Sequence, residues 1–435
     1  MPLNGDKDGR KGVMGILAER RWWLVLAVPF LIAIALLAGM TRTMPTFHGG
    51  DEPIHYATIL EFAQKPFMDV VRDYATTNGP FYYLLFGAVG RVIGFDLWKM
   101  RLLNVLVSYA ALAIAFLLFR NRLKMHPTRA LAAALVLGLS PYFFGSSLII
   151  LTDNLTWLLL FGALYSWLEY EESGSAGSAA LGCIAIALAC FTRQNAVWVV
   201  FPAVVAISRS RATVRSRILA CMGVALSLAP LTFLVATWGG LVPPSSKLAF
   251  SSAGLFNPRV ALFLLALLGL YALFIVPWEW VRGLRQNRNA VYWSLGAVGA
   301  SIAANAVRPL HHELLRSDGY LWRVSTLGQR GDLSPIMWAL IPVGAVATTW
   351  LALMSARREL LIWGGTLGAF ILVSSTSAQA YQKYYDVFVL LVLFALPYNR
   401  VPENSRELSV IDGGRLFVLG LLFAAYPLAR MALGL

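Results

Sequence analysis

The chain has 435 residues, 58% of them hydrophobic and 13% charged, with a formal net charge of +14. A mean hydropathy of +0.66 and apolar runs of about 15 to 20 residues recurring from Trp22 to the C-terminus exclude a soluble fold. They describe an all-α, polytopic membrane protein in which residues 1–435 form a single transmembrane domain. The basic residues fall in short clusters between apolar runs and form no basic domain, so they follow the positive-inside rule and point to membrane lipids, with no nucleic acid as partner.

Lys7, Arg10, Lys11, Arg20 and Arg21 precede the first apolar run, Trp22 to Met40. That run is long, begins with aromatics and lacks a small-residue cleavage site, so it reads as a retained helix and not as a signal peptide. The N-terminus is then cytoplasmic, and the segment 41–101 is the first outer loop. Within it, Ile54 to Val71 mixes apolar and polar residues at helical spacing, as expected of an amphipathic helix lying in the interface. Gly79 to Gly94 is too short to span and contains Arg91, so it reads as a second juxtamembrane helix. The remaining spans fall at roughly 102–119, 130–147, 155–168, 179–191, 196–208, 218–236, 260–278, 290–307, 335–354, 359–375, 385–397 and 416–433, thirteen in all with the first. This parity makes the clusters around Arg120, Arg209, Arg282 and Arg357 cytoplasmic, and the segments 41–101, 237–259, 308–334 and 376–384 outer. Cys183, Cys190 and Cys221 lie in apolar runs, where no disulfide, metal or thiol chemistry is expected. No internal repeat is evident, and Ser173 to Ser178 reads as a flexible connector.

The outer segments hold the polar chemistry. Asp51 and Glu52 stand in His48-Gly49-Gly50-Asp51-Glu52-Pro53-Ile54-His55, where the glycines permit a sharp turn. Acids before Pro53 also suit an ordinary helix N-terminus, but two adjacent carboxylates beside a membrane favour catalysis. Asp153 interrupts an apolar stretch at the outer boundary, where an ionisable residue marks a functional site unless it is simply a helix cap. Arg193-Gln194-Asn195 breaks the chain at the next outer turn; its guanidinium suits a phosphate, or lipid headgroups by snorkelling. Tyr381-Gln382-Lys383-Tyr384-Tyr385-Asp386 offers a second cation among aromatics, which an interfacial aromatic belt would equally explain. His311-His312-Glu313 lacks a third ligand at diagnostic spacing and reads as a polar loop. Walker, dinucleotide, nucleophile-elbow and His-Glu-x-x-His sequences are absent.

With these residues in place, the chain resembles the GT-C glycosyltransferases, polytopic enzymes that use lipid-phosphate sugars and carry an Asp-Glu pair in the first outer loop. It is most similar to the dolichyl-phosphate-glucose α-1,2-glucosyltransferases. Asp51-Glu52-Pro53-Ile54-His55 resembles their Asp-Glu-x-Phe-His, Thr76-Thr77-Asn78-Gly79-Pro80-Phe81-Tyr82 their Thr-Thr-x-Pro-Gly-x-Tyr, and Arg193-Gln194-Asn195 with Trp198 their Arg-Gln-Thr-Asn followed by a Trp. The resemblance covers roughly residues 48–202; it departs at Thr58 and at the missing Thr before Asn195. Protein O-mannosyltransferases and the aminoarabinose transferase of lipid A share the outline, including an acid comparable to Asp153.

The resemblance implies an inverting transfer of a hexose-like sugar from a polyprenyl-phosphate donor to a lipid-linked or other envelope glycan at the outer face. Asp51 would be the general base, with Glu52 and Asp153 completing the catalytic set. His55, Thr76, Thr77, Tyr82, Arg193, Gln194, Asn195, Lys383 and Tyr384 would contact substrate. No cofactor is established, and a divalent cation held by Glu52 and Asp153 stays open. The membrane expected is a prokaryotic inner membrane, with the site facing the periplasm or exterior. A secondary transporter or lipid flippase is the alternative; it would place polar residues at the bilayer midplane and show repeats.

Overall fold

Helices account for all the regular structure in the computed structural model, which describes residues 21–35, 51–246, 257, 259–276, 288–307, 319–326, 329, 334–376, 381–396 and 410–433; no strand occurs among them. The His48-Gly49-Gly50 turn, the His311-His312-Glu313 loop, Arg282, Arg285 and the basic cluster from Lys7 to Arg20 lie outside the described residues.

After α1 (Arg21–Ala35), the first outer segment folds as α2 (Asp51–Gln64), α3 (Phe67–Val71) and α4 (Phe81–Ile93). The amphipathic stretch from Ile54 is thus broken once, at Pro66, whose ring cannot continue a helix. The thirteen residues of α4 fall short of a span. The chain continues through α5 (Leu97–Leu117), which passes into a π-helical turn (Leu118–Arg122), and then α6 (Pro127–Leu139), α7 (Pro141–Leu148), α8 (Asp153–Ser173) and α9 (Ala176–Thr192). Next come a 3-10 stretch (Gln194–Val199), α10 (Val200–Arg209), α11 (Val214–Ser227) and α12 (Ala229–Trp238). The second half holds α13 (Arg259–Ile275), α14 (Arg288–Val307), α15 (Tyr320–Ser325), α16 (Pro335–Met354), α17 (Gly365–Ser374), α18 (Asp386–Ala395) and α19 (Val410–Leu433).

By length and composition, four of these stretches cross a bilayer unaided: Leu97–Arg122, Val214–Trp238, Arg288–Val307 and Pro335–Met354. A fifth candidate is the pair α6 and α7, bent by 62° at Ser140–Pro141. Of the other expected spans, Asp153–Ser173 and Val410–Leu433 are long continuous helices, whereas Ala176–Thr192 and Arg259–Ile275 are shorter. Arg193 separates α9 from the 3-10 stretch that leads into the ten-residue α10.

Polar residues gather at two ends, and α8 measures the distance between them. Asp153 opens this helix and Glu171 sits near its close, ~27 Å away at 1.5 Å per residue. At the far end Glu171 accepts from Arg358 at 2.7 and 2.9 Å and from Arg209 at 3.1 Å, while Glu172 pairs with Arg122 at 2.8 Å. Arg122, Arg209 and Arg358, from three of the clusters expected on the cytoplasmic side, therefore gather at the end of α8 away from Asp153. Gly174, at φ 68°, closes α8 there in a left-handed conformation that suits a residue without Cβ.

All ten residues of α18 are buried, as suits a helix that is apolar on every face and lies at the centre of the bundle. Gly269 of α13 and Gly344 of α16 lie against the carbonyls of Leu340 and Leu265, so these two helices cross at a separation only glycine permits. A smaller core, built from Ile59, Phe62, Val71, Tyr83, Phe86 and Trp238 among others, seats the first outer segment on the bundle.

Candidate active site

Asp51, Glu52 and Pro53 open α2, so two acids face the exposed amides of its first turn. Neighbouring residues on a helix point about 100° apart, and this separates the two carboxylates completely. The Asp51 side chain is 43% exposed, whereas that of Glu52 is 4% exposed. Glu52 accepts from Arg101 Nε at 2.8 Å and Nη2 at 2.6 Å, and from the Ile150 amide at 3.0 Å. It thereby ties α2 to α5 and to the segment entering α8.

His55 stands one turn beyond Asp51 on the same side of α2. Its Nδ1 lies 2.7 Å from the Tyr83 hydroxyl, which donates to Thr76 Oγ1 at 2.8 Å. The His55 and Tyr83 rings stack with centroids 5.8 Å apart. Burial holds the imidazole at a pKa of about 4, and the positive charges of Lys383 and Arg193 act in the same direction against the opposing pull of Asp51. Burial likewise raises the Tyr83 phenol. The Thr76–Pro80 segment docks on the turn after α9: Gly79 N donates to Thr192 O at 2.8 Å, and Gln194 Nε2 donates to Thr77 O at 3.2 Å. A Cβ at Gly79 would overlap the Phe191 carbonyl, so the close approach needs glycine there.

The next pair comes from α8 and the break after α9. Arg193 Nη2 donates to Asp153 Oδ2 at 2.8 Å, and Nε donates to Thr152 Oγ1 at 2.9 Å. Its guanidinium lies 5.1 Å from the centroid of the Tyr384 ring, a cation–π contact. Lys383 Nζ stands 5.5 Å from the same ring and donates to Asp51 Oδ2 at 2.9 Å. Burial opposes the ammonium charge, yet Tyr384, Asp153 and Asp51 outweigh that penalty and raise the lysine's pKa, so the group stays cationic. Two cations thus share contact with one aromatic ring, each held by a carboxylate from a different helix.

The turn carrying Lys383 is itself fixed from below. Gln382 is fully buried; its Oε1 accepts from Leu321 N at 2.9 Å and its Nε2 donates to Asp386 Oδ1 at 3.3 Å. Asp386 also accepts from the hydroxyls of Ser140 and Tyr271, and Tyr142 accepts from Tyr320 N at 2.8 Å. This buried network joins the start of α18 to α6, α7, α13 and α15.

The structure therefore brings Asp51, His55, Asp153, Arg193, Lys383 and Tyr384 together, with Thr76, Thr77 and Gln194 beside them. Two of the candidates stand apart from this cluster. Glu52 is engaged by Arg101 and Asp153 by Arg193, each acid by a separate guanidinium. Tyr82 is fully buried, stacked on Phe86 at 4.1 Å with its hydroxyl 3.5 Å from Asn104 Oδ1, and belongs to the core. Its neighbour Tyr83 reaches His55 instead. Helical spacing carries that signal, since Tyr83 and Gly87, one turn apart on α4, both meet α2, Tyr83 at His55 and Gly87 at Ala63 and Ile59. Asn195 is exposed. Arg101, Thr152, Gln382 and Asp386 do not stand out from sequence; Arg101 is visible there only as a cation near a helix start. Among the described residues no group of three or more His, Cys, Asp or Glu side chains is arranged to hold a metal ion.

Residues 77–238 match the family model described as dolichyl-phosphate-mannose-protein mannosyltransferase. This match covers a little over a third of the chain; it includes Asp153 and Arg193 and excludes Asp51, His55 and Lys383. No curated protein matches the chain. Among solved structures, the chain is similar to ArnT from Cupriavidus metallidurans in the apo state, at 15% identity and a TM-score of 0.43, over 88% of this chain and 78% of that one. It is also similar to the same protein bound to undecaprenyl phosphate, at 13% identity and a TM-score of 0.42, over 86% and 77%.

Proposed function

We propose that the protein is a membrane glycosyltransferase that moves a hexose from a polyprenyl-phosphate donor to a hydroxyl of a lipid-linked or envelope glycan, on the face that carries Asp51. The observation that carries the reading is the meeting of Lys383 and Arg193 at the one ring of Tyr384, with Lys383 bonded to the half-exposed Asp51. Two cations at a membrane boundary suit one lipid phosphate, and a carboxylate beside them suits a base. The match to a family model named for dolichyl-phosphate-mannose supports the donor class, and the Asp51 to His55 motif supports a hexose. By the positive-inside rule, the arginines around Glu171 mark the cytoplasmic end, which supports a site on the opposite, outer face of the membrane.

In this mechanism the donor phosphate draws Lys383 away from Asp51 and rests between Lys383 and Arg193. Asp51, relieved of that cation, accepts the proton of the acceptor hydroxyl while the hydroxyl oxygen bonds to the anomeric carbon. The bond from this carbon to the phosphate oxygen breaks, and its electron pair leaves with the polyprenyl phosphate. Lys383 and Arg193 balance the charge gained by the phosphate, an electrostatic effect made stronger by burial. One displacement inverts the anomeric centre. Phosphate leaves without a proton donor, so a single carboxylate suffices, in contrast with glycoside hydrolysis.

The test is transfer of labelled hexose from a polyprenyl-phosphate donor by the purified protein and by Asp51→Asn. Transfer by the wild type and its loss in the variant is the expected result; undiminished transfer by Asp51→Asn overturns the base assignment.

A further inference from the structure

We propose that His55 reads a hydroxyl of the transferred sugar through Nε2, which the Tyr83–Thr76 chain holds as an unprotonated hydrogen-bond acceptor. The inference rests on the donor reading above and adds a specificity-determining contact to it.

Tyr83 has one hydroxyl proton and donates it to Thr76 Oγ1 at 2.8 Å. With that donation the hydroxyl oxygen faces His55 Nδ1 at 2.7 Å as an acceptor, an arrangement that favours the tautomer protonated on Nδ1. A neutral imidazole protonated on Nδ1 presents a lone pair at Nε2. His55 is 6% exposed, yet Nε2 makes no hydrogen bond among the described residues and is not sealed from the surface. An acceptor held in a nearly buried position and left unpaired is costly unless a ligand supplies a donor.

The surroundings decide what kind of donor. Asp51 stands one turn away on α2, and His55 senses the charges of Asp51, Asp153, Lys383 and Arg193 together. Asp51 and Asp153 each already have a cation, and both cations suit the phosphate. A phosphate offers only acceptors at neutral pH and gains nothing from a second acceptor. The sugar, bonded to that phosphate and presented to Asp51, carries hydroxyl donors into the same space. A site that hydrogen-bonds a substrate hydroxyl rejects analogues that lack it far more sharply than an apolar pocket does. The stacking of Tyr83 on His55 fixes the ring plane, so the lone pair has a fixed direction.

The experiment uses the full chain in lipid nanodiscs with 15N-labelled histidine; the sequence has only 5 histidines, so His55→Gln identifies the His55 signals. The free protein should show His55 with a protonated Nδ1 and an unprotonated Nε2 at neutral pH. Tyr83→Phe should release that preference and mix the two tautomers. Polyprenyl-phosphate mannose should shift the Nε2 resonance, whereas polyprenyl phosphate without a sugar should leave it in place. A protonated Nε2 or an imidazolium in the free protein overturns the proposal, as does an equal Nε2 shift with both lipids, which would make His55 a phosphate contact. If neither lipid binds, the donor reading fails together with the hydroxyl contact, while the tautomer is still read from the free protein.

Discussion

Asp51 and Glu52 are adjacent in sequence and should separate cleanly by mutation. Glu52→Gln replaces one carboxylate oxygen of a buried bidentate pair with an amide donor, aimed at a guanidinium that also only donates. With the amide oxygen kept at the Oε1 position, which accepts from Arg101 Nε at 2.8 Å and from the Ile150 amide at 3.0 Å, the substitution loses the 2.6 Å bond from Arg101 Nη2 and sets two donors against each other there. Breaking a buried pair by neutralising one partner costs about 3 to 5 kcal/mol, because Arg101 remains buried without its counterion. Asp51→Asn instead weakens the pair with Lys383 on a side chain that is 43% exposed and leaves a neutral acceptor for the ammonium, so its stability cost should be smaller than that of Glu52→Gln. Its expected effect is on chemistry, a loss of roughly 100- to 10,000-fold in transfer rate for removal of a positioned base. Thermal unfolding in detergent and single-turnover transfer, measured on both variants, give the crossed pattern: Glu52→Gln melts early, and Asp51→Asn melts nearer the wild type but is inactive. A Glu52→Gln protein with wild-type stability and abolished transfer would refute the reasoning and return Glu52 to the catalytic set.

Removing the Arg193 side chain should weaken binding of a polyprenyl phosphate by roughly ten- to a hundredfold, the equivalent of about 1.5 to 3 kcal/mol for charge-assisted hydrogen bonds. Because Arg193→Ala alone strands Asp153, the double variant Asp153→Asn/Arg193→Ala is the better protein for lipid-binding calorimetry; unchanged affinity would exclude the phosphate role. Acidification provides a second check. The folded protein keeps His55 neutral down to about 4, while the unfolded chain titrates it at the ordinary 6.5, so the unfolded state gains protons first as pH falls. Stability from this residue is complete above the unfolded value and declines through the interval toward the folded one, on the order of 3 kcal/mol in total. His55→Gln should therefore flatten the fall in melting temperature between about pH 7 and 4.5, and parallel curves for the two proteins would contradict it. Gly79→Ala should cost about 1 to 3 kcal/mol, since the added methyl meets the Phe191 carbonyl. Its melting temperature and transfer rate should fall together as Thr76 is displaced, and a wild-type melting curve would refute the close docking.

The sequence carried the class of fold because apolar runs at membrane length have few other uses, and it carried the short helix around Arg91 because a run too short to span is a local feature; the break at Pro66 inside the stretch from Ile54 to Val71 is not legible in its spacing. It also drew attention to Asp51, Asp153, Arg193 and Lys383, since charges are scarce in such a chain. What stayed hidden depends on contacts distant in sequence. Arg101 and Glu52 are 49 residues apart, and Lys383 and Asp51 are 332 apart, so no spacing rule foretells either pairing. The choice of Tyr82 over Tyr83 has a different origin: a motif marks which residue types recur, whereas the helical phase of α4 decides which one faces α2. Asp386 escaped notice because it adjoins an apolar helix and the outer turn alike, and only packing shows that its partners are hydroxyls and an amide.

The pairs at this end of the bundle differ in how easily a substrate can part them. Arg101 and Glu52 are enclosed and bidentate, and their separation would expose two buried charges with nothing to replace either partner. Arg193 and Asp153 are nearly as enclosed, but the guanidinium has donors beyond the two it gives to Asp153 and Thr152, so it can add a phosphate without releasing the carboxylate. Lys383 and Asp51 meet through a single hydrogen bond with one partner half exposed, and an ammonium can swing from carboxylate to phosphate on its flexible stem. An arriving phosphate should therefore separate this pair before the others. The carboxylate parted from Lys383 is the half-exposed one, a turn from His55, so donor binding raises its capacity to accept a proton. Measured as an order of binding, this requires acceptor affinity to rise when donor lipid is present in the wild type and to be insensitive to donor lipid in Lys383→Met; equal acceptor affinity with and without donor in the wild type would rule it out.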